Sequence, residues 1–167
     1  MRHLLLALLF SVAGCAGAGA SLLTEDQGRV AASDGAPISL ADVWRHHPAT
    51  VLVWWSSTCP CVGRYRERVA DLAARYAARD VAFYYVASNA DDGPDEIAEA
   101  TGPVPIVRDE GGALARTLGV ISTPTVAVID VHGAVRFLGW LDNEHTPGDA
   151  DREPWLEAHL DDLLAGG

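Results

Sequence analysis

The dominant pattern in the sequence is a continuous β-branched and aromatic run over residues 50–55, followed closely by a long helical pattern. The run has no polar alternation, so it predicts a strand that is covered on both faces of a sheet. Over residues 59–79, apolar side chains recur at three- and four-residue steps, which is typical of a helix with one buried face. A buried strand leading directly into such a helix predicts an α/β fold.

Further strands and helices alternate along the rest of the chain. Proline at helix starts and glycine at helix ends mark several boundaries, and residues 130–133 supply turn chemistry for a hairpin. This order predicts one domain with a central mixed β-sheet and helices on both faces. The other predicted strands are residues 81–87, 104–107, 125–129 and 135–140, and the other predicted helices are residues 38–44, 94–101, 112–118 and 153–164.

The first residues have the pattern of an export signal. A basic start, an apolar run over residues 4–12 and small residues after it are typical of a secretory signal peptide. Residues 12–15, Val-Ala-Gly-Cys, resemble a bacterial lipobox, in which the cysteine becomes the lipidated first residue. We therefore expect a signal peptide over residues 1–14 and a lipid anchor at Cys15. Ordinary cleavage after Ala18 or Ala20 is the alternative.

Small and polar residues follow the signal and predict a flexible tether over residues 15–37, ahead of a domain over residues 38–165. Because Ala16 rather than aspartate follows Cys15, the lipobox resemblance favours the outer membrane of a Gram-negative cell. We expect the domain to face the periplasm in the cell envelope and to act as a monomer.

The charge balance bears on possible partners. The chain has 12 basic residues, all of them arginine, against 23 acidic residues, and its net charge is −11. Phosphate neutralisation needs clustered cations, so we expect no nucleic-acid binding. No apolar run reaches the roughly 18 residues of a membrane-spanning helix.

The chemistry concentrates where the first predicted strand meets the long helix. Cys59 lies at the predicted helix N-terminus, and Pro60 occupies the first helical position. Unpaired backbone N–H groups and the helix dipole stabilise an anion there. Such a position is expected to lower the pKa of a thiol and to make it a nucleophile near neutral pH. A pair of buried, inert cysteines is the alternative interpretation.

Two motifs carry a family resemblance. Residues 55–60, Trp-Ser-Ser-Thr-Cys-Pro, resemble the active-site motif of the thioredoxin-like superfamily, particularly its redoxin and envelope thiol–disulfide oxidoreductase branches. Residues 118–125, Leu-Gly-Val-Ile-Ser-Thr-Pro-Thr, resemble the second signature of that superfamily, which carries a cis-proline facing the reactive cysteine. The similarity covers residues 38–164. It implies a thioredoxin-like fold, protein or small-molecule disulfides and thiols as partners, and no cofactor or metal.

The resemblance also implies roles for individual residues. Cys59 matches the attacking cysteine, and Pro124 matches the cis-proline. Thr123 would offer backbone hydrogen bonds to a bound substrate strand. Trp55 would lie near the cysteine, and the substrate-binding residues of the first motif would be Trp55, Thr58 and Pro60.

The sequence departs from the family pattern after the first cysteine. The usual resolving cysteine lies three residues later, where this chain has Val62, and Cys61 instead gives Cys-Pro-Cys. Residues two apart on a helix point about 200° away from each other. We therefore expect a Cys59–Cys61 bridge to require a distorted first turn and to be readily reduced. Val53 stands where thioredoxins place a buried strand carboxylate.

Two other functions stay open. The first is a peroxidase, in which a hydroperoxide oxidises Cys59 to a sulfenic acid. Ser56 matches the serine or threonine of peroxiredoxins, but Leu52 replaces their proline. The second is a Cu(I)-binding module, since two thiolates suit that soft ion. Its further candidate ligands are His46, His47 and His145.

Two charged segments are interpreted as solvated surface. Arg64, Arg66 and Arg68 are predicted to form a helix face paired with Glu67 and Asp71. The acidic residues between positions 91 and 99 lack calcium-ligand spacing, and they predict a solvated loop and helix.

Overall fold

A seven-stranded mixed sheet organises the chain. The computed structural model describes residues 22–100, 102–143 and 148–167. The strands are β1 (Arg29–Ala32), β2 (Pro37–Ser39), β3 (Ala49–Trp55), β4 (Ala82–Ala87), β5 (Ile106–Arg108), β6 (Val126–Asp130) and β7 (Val135–Gly139). Their order across the sheet is β2-β1-β5-β4-β3-β6-β7.

Strand direction decides which loops meet. β3, β4 and β5 are parallel neighbours, so the loops that follow them leave the sheet at one edge. β6 runs antiparallel to β3, which brings the segment preceding β6 to that same edge. β7 pairs antiparallel with β6, and β1 pairs antiparallel with β2 and with β5. One edge of the sheet therefore collects four chain segments that are distant in sequence.

Helices cover both faces of the sheet, as predicted. They are α1 (Leu40–His46), α2 (Pro60–Ala77), α3 (Pro94–Glu99), α4 (Ala113–Leu118) and α5 (Trp155–Leu164). Residues of α2, α3 and α5 pack into one core cluster, and residues of α1 and α4 pack into the other. β3 contributes Val53 and Trp55 to the first cluster and Leu52 and Trp54 to the second, as a strand covered on both faces must. No helix in the described part of the chain is long and apolar enough to cross a membrane.

Residues 22–37 belong to the fold, so the predicted tether is wrong over that stretch. β1 lies between β2 and β5 in the sheet, and the buried Leu23 donates its N–H to the Gly133 carbonyl at 2.8 Å. The two strands are short, and β1 is rich in small residues, so their propensity is weak and pairing within the sheet decides their conformation. The predicted signal peptide over residues 1–14, Cys15 and the remainder of the tether lie outside the described residues.

The local start and stop signals agree with the structure at several helix ends. Ser39 caps α1, because its hydroxyl accepts the N–H of Asp42 at 3.3 Å. Gly119 ends α4 in the left-handed conformation, with φ of 70°. The strand predicted over residues 104–107 begins two residues later, as β5, and ends one residue later, and α5 begins two residues later than predicted.

Candidate active site

The two sequence motifs meet at the edge of the sheet where β3 ends and the segment before β6 arrives. Cys59 is the N-cap of α2, and Pro60 is its first helical residue. The Thr123–Pro124 peptide bond is cis and immediately precedes the β6 segment. The Cys59 thiol donates to the Thr123 carbonyl at 3.5 Å. The structure therefore brings Cys59 close to the segment of Thr123 and Pro124, and the roles that the resemblance implies for these residues stay predictions.

The surroundings of Cys59 favour its ionised form. Burial raises the pKa of this thiol, but hydrogen bonds from the Thr123 side chain, from the backbone N–H groups of Val62 and Cys61, and from the Cys61 thiol outweigh it. The net pKa is lowered. The two backbone donors belong to the first turn of α2, where the Val62 N–H also donates to the Cys59 carbonyl at 3.1 Å. The sulfur is partly exposed rather than walled off, so a thiolate here is accessible to a reactant.

The backbone at Cys59 departs from helical geometry. Both Cys59 and Cys61 are free thiols, and the Cys61 thiol is among the groups that lower the pKa of Cys59. Cys59 has extended backbone angles, φ −88° and ψ 111°, because it caps the helix rather than belonging to it. The offset of about 200° holds only between two helical residues. The predicted divergence therefore does not follow from helical geometry, and a strained Cys59–Cys61 bridge stays a prediction.

Basic residues after Cys61 have specific partners. Arg64 donates from Nη2 to the Cys61 sulfur at 3.2 Å. Arg68 donates from Nη1 to the buried Asp142 carboxylate at 2.6 Å, and its guanidinium lies 4.2 Å from the centre of the Tyr65 ring. Arg64 is exposed, as the predicted solvated face requires, whereas Arg68 is half-buried against Asp142, so the prediction is wrong for Arg68.

A buried carboxylate holds the loop that precedes Cys59. Asp92, in the loop after β4, is only 5% exposed. Its Oδ1 accepts the backbone N–H of Ser57 at 2.8 Å and the Ser57 hydroxyl at 2.6 Å, while its buried Oδ2 has no partner among the residues that the structure describes. The interpretation of this acidic segment as fully solvated is wrong at Asp92. The parallel pairing of β3 with β4 brings the two loops together, and spacing along the sequence does not reveal that proximity.

Other residues of the first motif support this loop. The backbone N–H of Cys59 donates to the Ser56 carbonyl at 3.3 Å, and the Ser56 and Thr58 hydroxyls lie 3.1 Å apart. Trp55 is buried in the core cluster against which Cys59 packs, whereas Thr58 and Pro60 are exposed beside it. Val53 is buried in the same cluster, so β3 carries no carboxylate at that position.

An apolar groove lies beside Cys61. It has a volume of about 220 Å³. Trp140 on its rim is 56% exposed, and Ile121, which precedes the cis-proline segment, is 97% exposed. Sequence reasoning missed both residues, although Ile121 lies within the second motif. The groove is lined by Cys61, Arg64, Tyr65, Ser122, Thr123, Pro124, Trp140 and Leu141.

The candidate copper ligands do not converge on the thiols. His46 contacts the Asp42 carbonyl, and His47 contacts Asp80. Within residues 22–100, 102–143 and 148–167, no group of three or more His, Cys, Asp or Glu side chains is placed to hold a metal ion. His145 lies outside the described residues.

The mixed sheet, the Cys59 thiol at the start of α2 and the cis-proline segment together define a thioredoxin-like oxidoreductase. The sequence matches the Redoxin family model over residues 19–153, and the chain belongs to the redoxin family. No curated protein shows a significant sequence match to the chain.

Solved structures share the fold at low sequence identity. An uncharacterised conserved protein from Geobacillus kaustophilus is 24% identical, with a TM-score of 0.75 over 89% of this chain and 82% of that chain. A secreted Mycobacterium tuberculosis disulfide oxidoreductase homologous to Escherichia coli DsbE is 18% identical, with a TM-score of 0.58 over 86% and 100%. The exposed lipoprotein thioredoxin of Streptococcus pneumoniae is 23% identical, with a TM-score of 0.59 over 80% and 97%.

The hydroxyl of Thr123 provides a direct test of how the thiolate is stabilised. Thr123→Val removes a donor to the Cys59 sulfur and keeps the backbone carbonyl, so the pKa of Cys59 is expected to rise toward its ordinary value. Alkylation of Cys59 by iodoacetamide at pH 7 is expected to slow by about three- to tenfold, the effect of one hydrogen bond to a charged group. Peptide mass spectrometry, which identifies the alkylated cysteine, measures this rate across pH.

The control is Thr117→Val, on the exposed surface of α4. It is expected to leave the alkylation profile of Cys59 across pH unchanged.

The lowered pKa of Cys59 also bears on fold stability. Because the pKa of Cys59 is lower in the folded protein than in the unfolded chain, ionisation of Cys59 stabilises the fold above the folded pKa. That contribution disappears as the pH falls through the folded pKa. An alkylation profile that is identical in Thr123→Val and wild type would contradict the assigned role.

Proposed function

We propose that the chain is an exported thiol–disulfide oxidoreductase with a Cys-Pro-Cys active site. The observation that carries this proposal is the partly exposed Cys59 thiol, which lies at the N-terminus of α2, contacts the Thr123 carbonyl and has a lowered pKa. Membership of the redoxin family supports the same class of reaction.

The proposed reaction is a balanced exchange in two steps. The Cys59 thiolate attacks a substrate disulfide, forms a mixed disulfide with one substrate sulfur, and releases the other as a thiolate. The Cys61 thiolate then attacks the Cys59 sulfur and releases the first substrate sulfur. Two electrons pass from the protein to the substrate, and a Cys59–Cys61 disulfide remains. The reverse sequence oxidises a substrate dithiol.

Substrate recognition is assigned to the surface around the thiol. Thr123 and Pro124 form the edge along which a substrate segment extends, with Thr123 offering its backbone to that segment. Thr58 and Pro60 contact the substrate on the other side of the cysteine, and Trp55 supports the site from the core. The substrates are protein or small-molecule disulfides and thiols.

Export is the part of the proposal that rests on the N-terminal sequence. The signal pattern over residues 1–14 and the lipobox resemblance at Cys15 support a location in the cell envelope, with the domain facing the periplasm and anchored by lipid to the outer membrane. Two structures with the same fold are described as a secreted oxidoreductase and an exposed lipoprotein, which supports export of the domain.

The test compares two oxidising substrates. The protein, supplied with dithiothreitol, is expected to reduce insulin disulfides, and its oxidised form is expected to carry an intrachain Cys59–Cys61 link in a peptide map. Efficient consumption of hydrogen peroxide without insulin reduction would assign the chain to the peroxidases instead. The serine that matches the peroxiredoxin pattern, Ser56, is buried and its hydroxyl is bonded to Thr58, which favours the exchange reaction.

A further inference from the structure

One arginine contacts a sulfur of the active site directly. We infer that Arg64 is a catalytic residue of the second step, where its guanidinium stabilises the thiolate of Cys61 as that thiolate resolves the mixed disulfide. The inference rests on the proposed function, because it needs Cys61 to be the resolving thiol. Nothing in the family resemblance or in the sequence pattern assigns this role.

The contact follows from helix geometry. Cys61 and Arg64 lie in the first two turns of α2, three residues apart, and residues at that spacing are neighbours on one helix surface. Arg64 Nη2 lies 3.2 Å from the Cys61 sulfur. Both residues also line the groove that contains Thr123 and Pro124. The cation is thus next to the sulfur, on the side where a substrate bound to Cys59 would lie.

The second step of the exchange needs a group that stabilises the Cys61 thiolate. Cys61 must lose its proton before it can attack, and Val53 occupies the strand position at which a carboxylate could accept that proton. A guanidinium stays charged at all accessible pH values and accepts no proton. It acts by lowering the free energy of the thiolate, and the proton passes to solvent.

The atoms and charges balance through this step. Cys61 forms a bond to the Cys59 sulfur, the bond between Cys59 and the substrate sulfur breaks, and the substrate leaves as a thiolate. In the reverse direction, a reducing thiolate attacks Cys59 and Cys61 leaves as a thiolate beside the same guanidinium. Arg64 remains a cation throughout.

The neighbouring arginines provide the comparison. Arg68, one turn further along α2, donates to the buried Asp142. Arg66 is exposed and carries the same charge two residues from Arg64, without a hydrogen bond to either cysteine among the described contacts. Replacement of Arg66 therefore changes the net charge near the site without removing the contact to Cys61.

The two steps can be measured separately with an aromatic disulfide. In a Cys15→Ser background, dithiobis(nitrobenzoate) reacts with Cys59 and releases one coloured nitrothiobenzoate. Attack by Cys61 on the Cys59 mixed disulfide then releases a second. At pH 7, Arg64→Met is expected to slow the second release about threefold relative to the first, since a stabilised thiolate is more abundant but also less nucleophilic. Well above about pH 9, where thiols ionise unaided, the difference is expected to reverse, because only the lower nucleophilicity of the stabilised thiolate then remains.

Two further variants complete the experiment. Arg64→Lys retains the cation and is expected to recover part of the second-phase rate, which a merely structural role would not explain. Arg66→Met is expected to leave both phases unchanged. A second phase in Arg64→Met that equals wild type, or an equal loss in Arg66→Met, would overturn the inference. If wild type itself lacks a second release, the resolving role that the proposed function gives to Cys61 is wrong. That result differs from a failure of the Arg64 inference alone, in which wild type keeps the second release and Arg64→Met matches it.

Discussion

Cys59→Ser is expected to lower the rate of insulin-disulfide reduction by about a thousandfold or more, as loss of a catalytic nucleophile generally does. A serine hydroxyl does not ionise near neutral pH, so the donors from the first turn of α2 have no thiolate to stabilise. Cys61 is the second residue of α2. In the proposed mechanism it attacks only the mixed disulfide that Cys59 has already formed. The turbidity of reduced insulin at pH 7 measures the effect, and circular dichroism checks that the fold is retained.

The matched variant is Cys61→Ala, which removes the second sulfur and leaves the first in place. It is expected to retain attack by Cys59 and to accumulate a mixed disulfide with the substrate, visible as an added mass on the Cys59 peptide. Substantial insulin reduction by Cys59→Ser would contradict the assignment of the nucleophile. Rapid turnover of Cys61→Ala without a mixed disulfide would instead indicate that an external thiol resolves the intermediate.

The sequence predicts the parts of this fold that depend on local patterns. The continuous run that becomes β3 predicts a strand buried on both faces, and Trp54 and Trp55 do lie in opposite core clusters. Ser39 as a helix cap and Gly119 as a helix stop follow from the chemistry of single residues. The position of Cys59 at the start of α2 follows in the same way, because a strand ends and an amphipathic pattern begins there.

The features that the sequence does not predict arise from pairing between distant segments. The strand β1 is stabilised by its neighbours β2 and β5, so its own short sequence carries little signal. Asp92 approaches Ser57 only because two parallel strands end at one edge of the sheet. The direction of the Cys59 side chain depends on a single extended backbone conformation at the helix cap, which a helical wheel does not represent.

A second buried carboxylate, Asp109, joins several elements at this same edge of the sheet. It is 2% exposed and follows β5. Its Oδ1 accepts the N–H of Leu114 at 2.9 Å, and its Oδ2 accepts the N–H of Ala115 at 2.9 Å and the Ser88 hydroxyl at 2.8 Å. The Ser88 oxygen in turn accepts the indole N–H of Trp54 at 3.1 Å. One side chain thus connects the start of α4 with the ends of β4 and β3.

Asp109→Ala is expected to destabilise the fold by about 3 to 5 kcal/mol, because it leaves two buried backbone N–H groups without a partner and disconnects Ser88. For a chain of this size, that loss corresponds to a fall in Tm of roughly 10 °C. Urea denaturation followed by tryptophan fluorescence measures the free energy of unfolding. Asp71→Ala, which removes an exposed carboxylate on α2, is the control and is expected to change stability by less than about 0.5 kcal/mol. If Asp109→Ala and Asp71→Ala unfold at the same urea concentration, the Asp109 hydrogen bonds do not hold this edge of the sheet together.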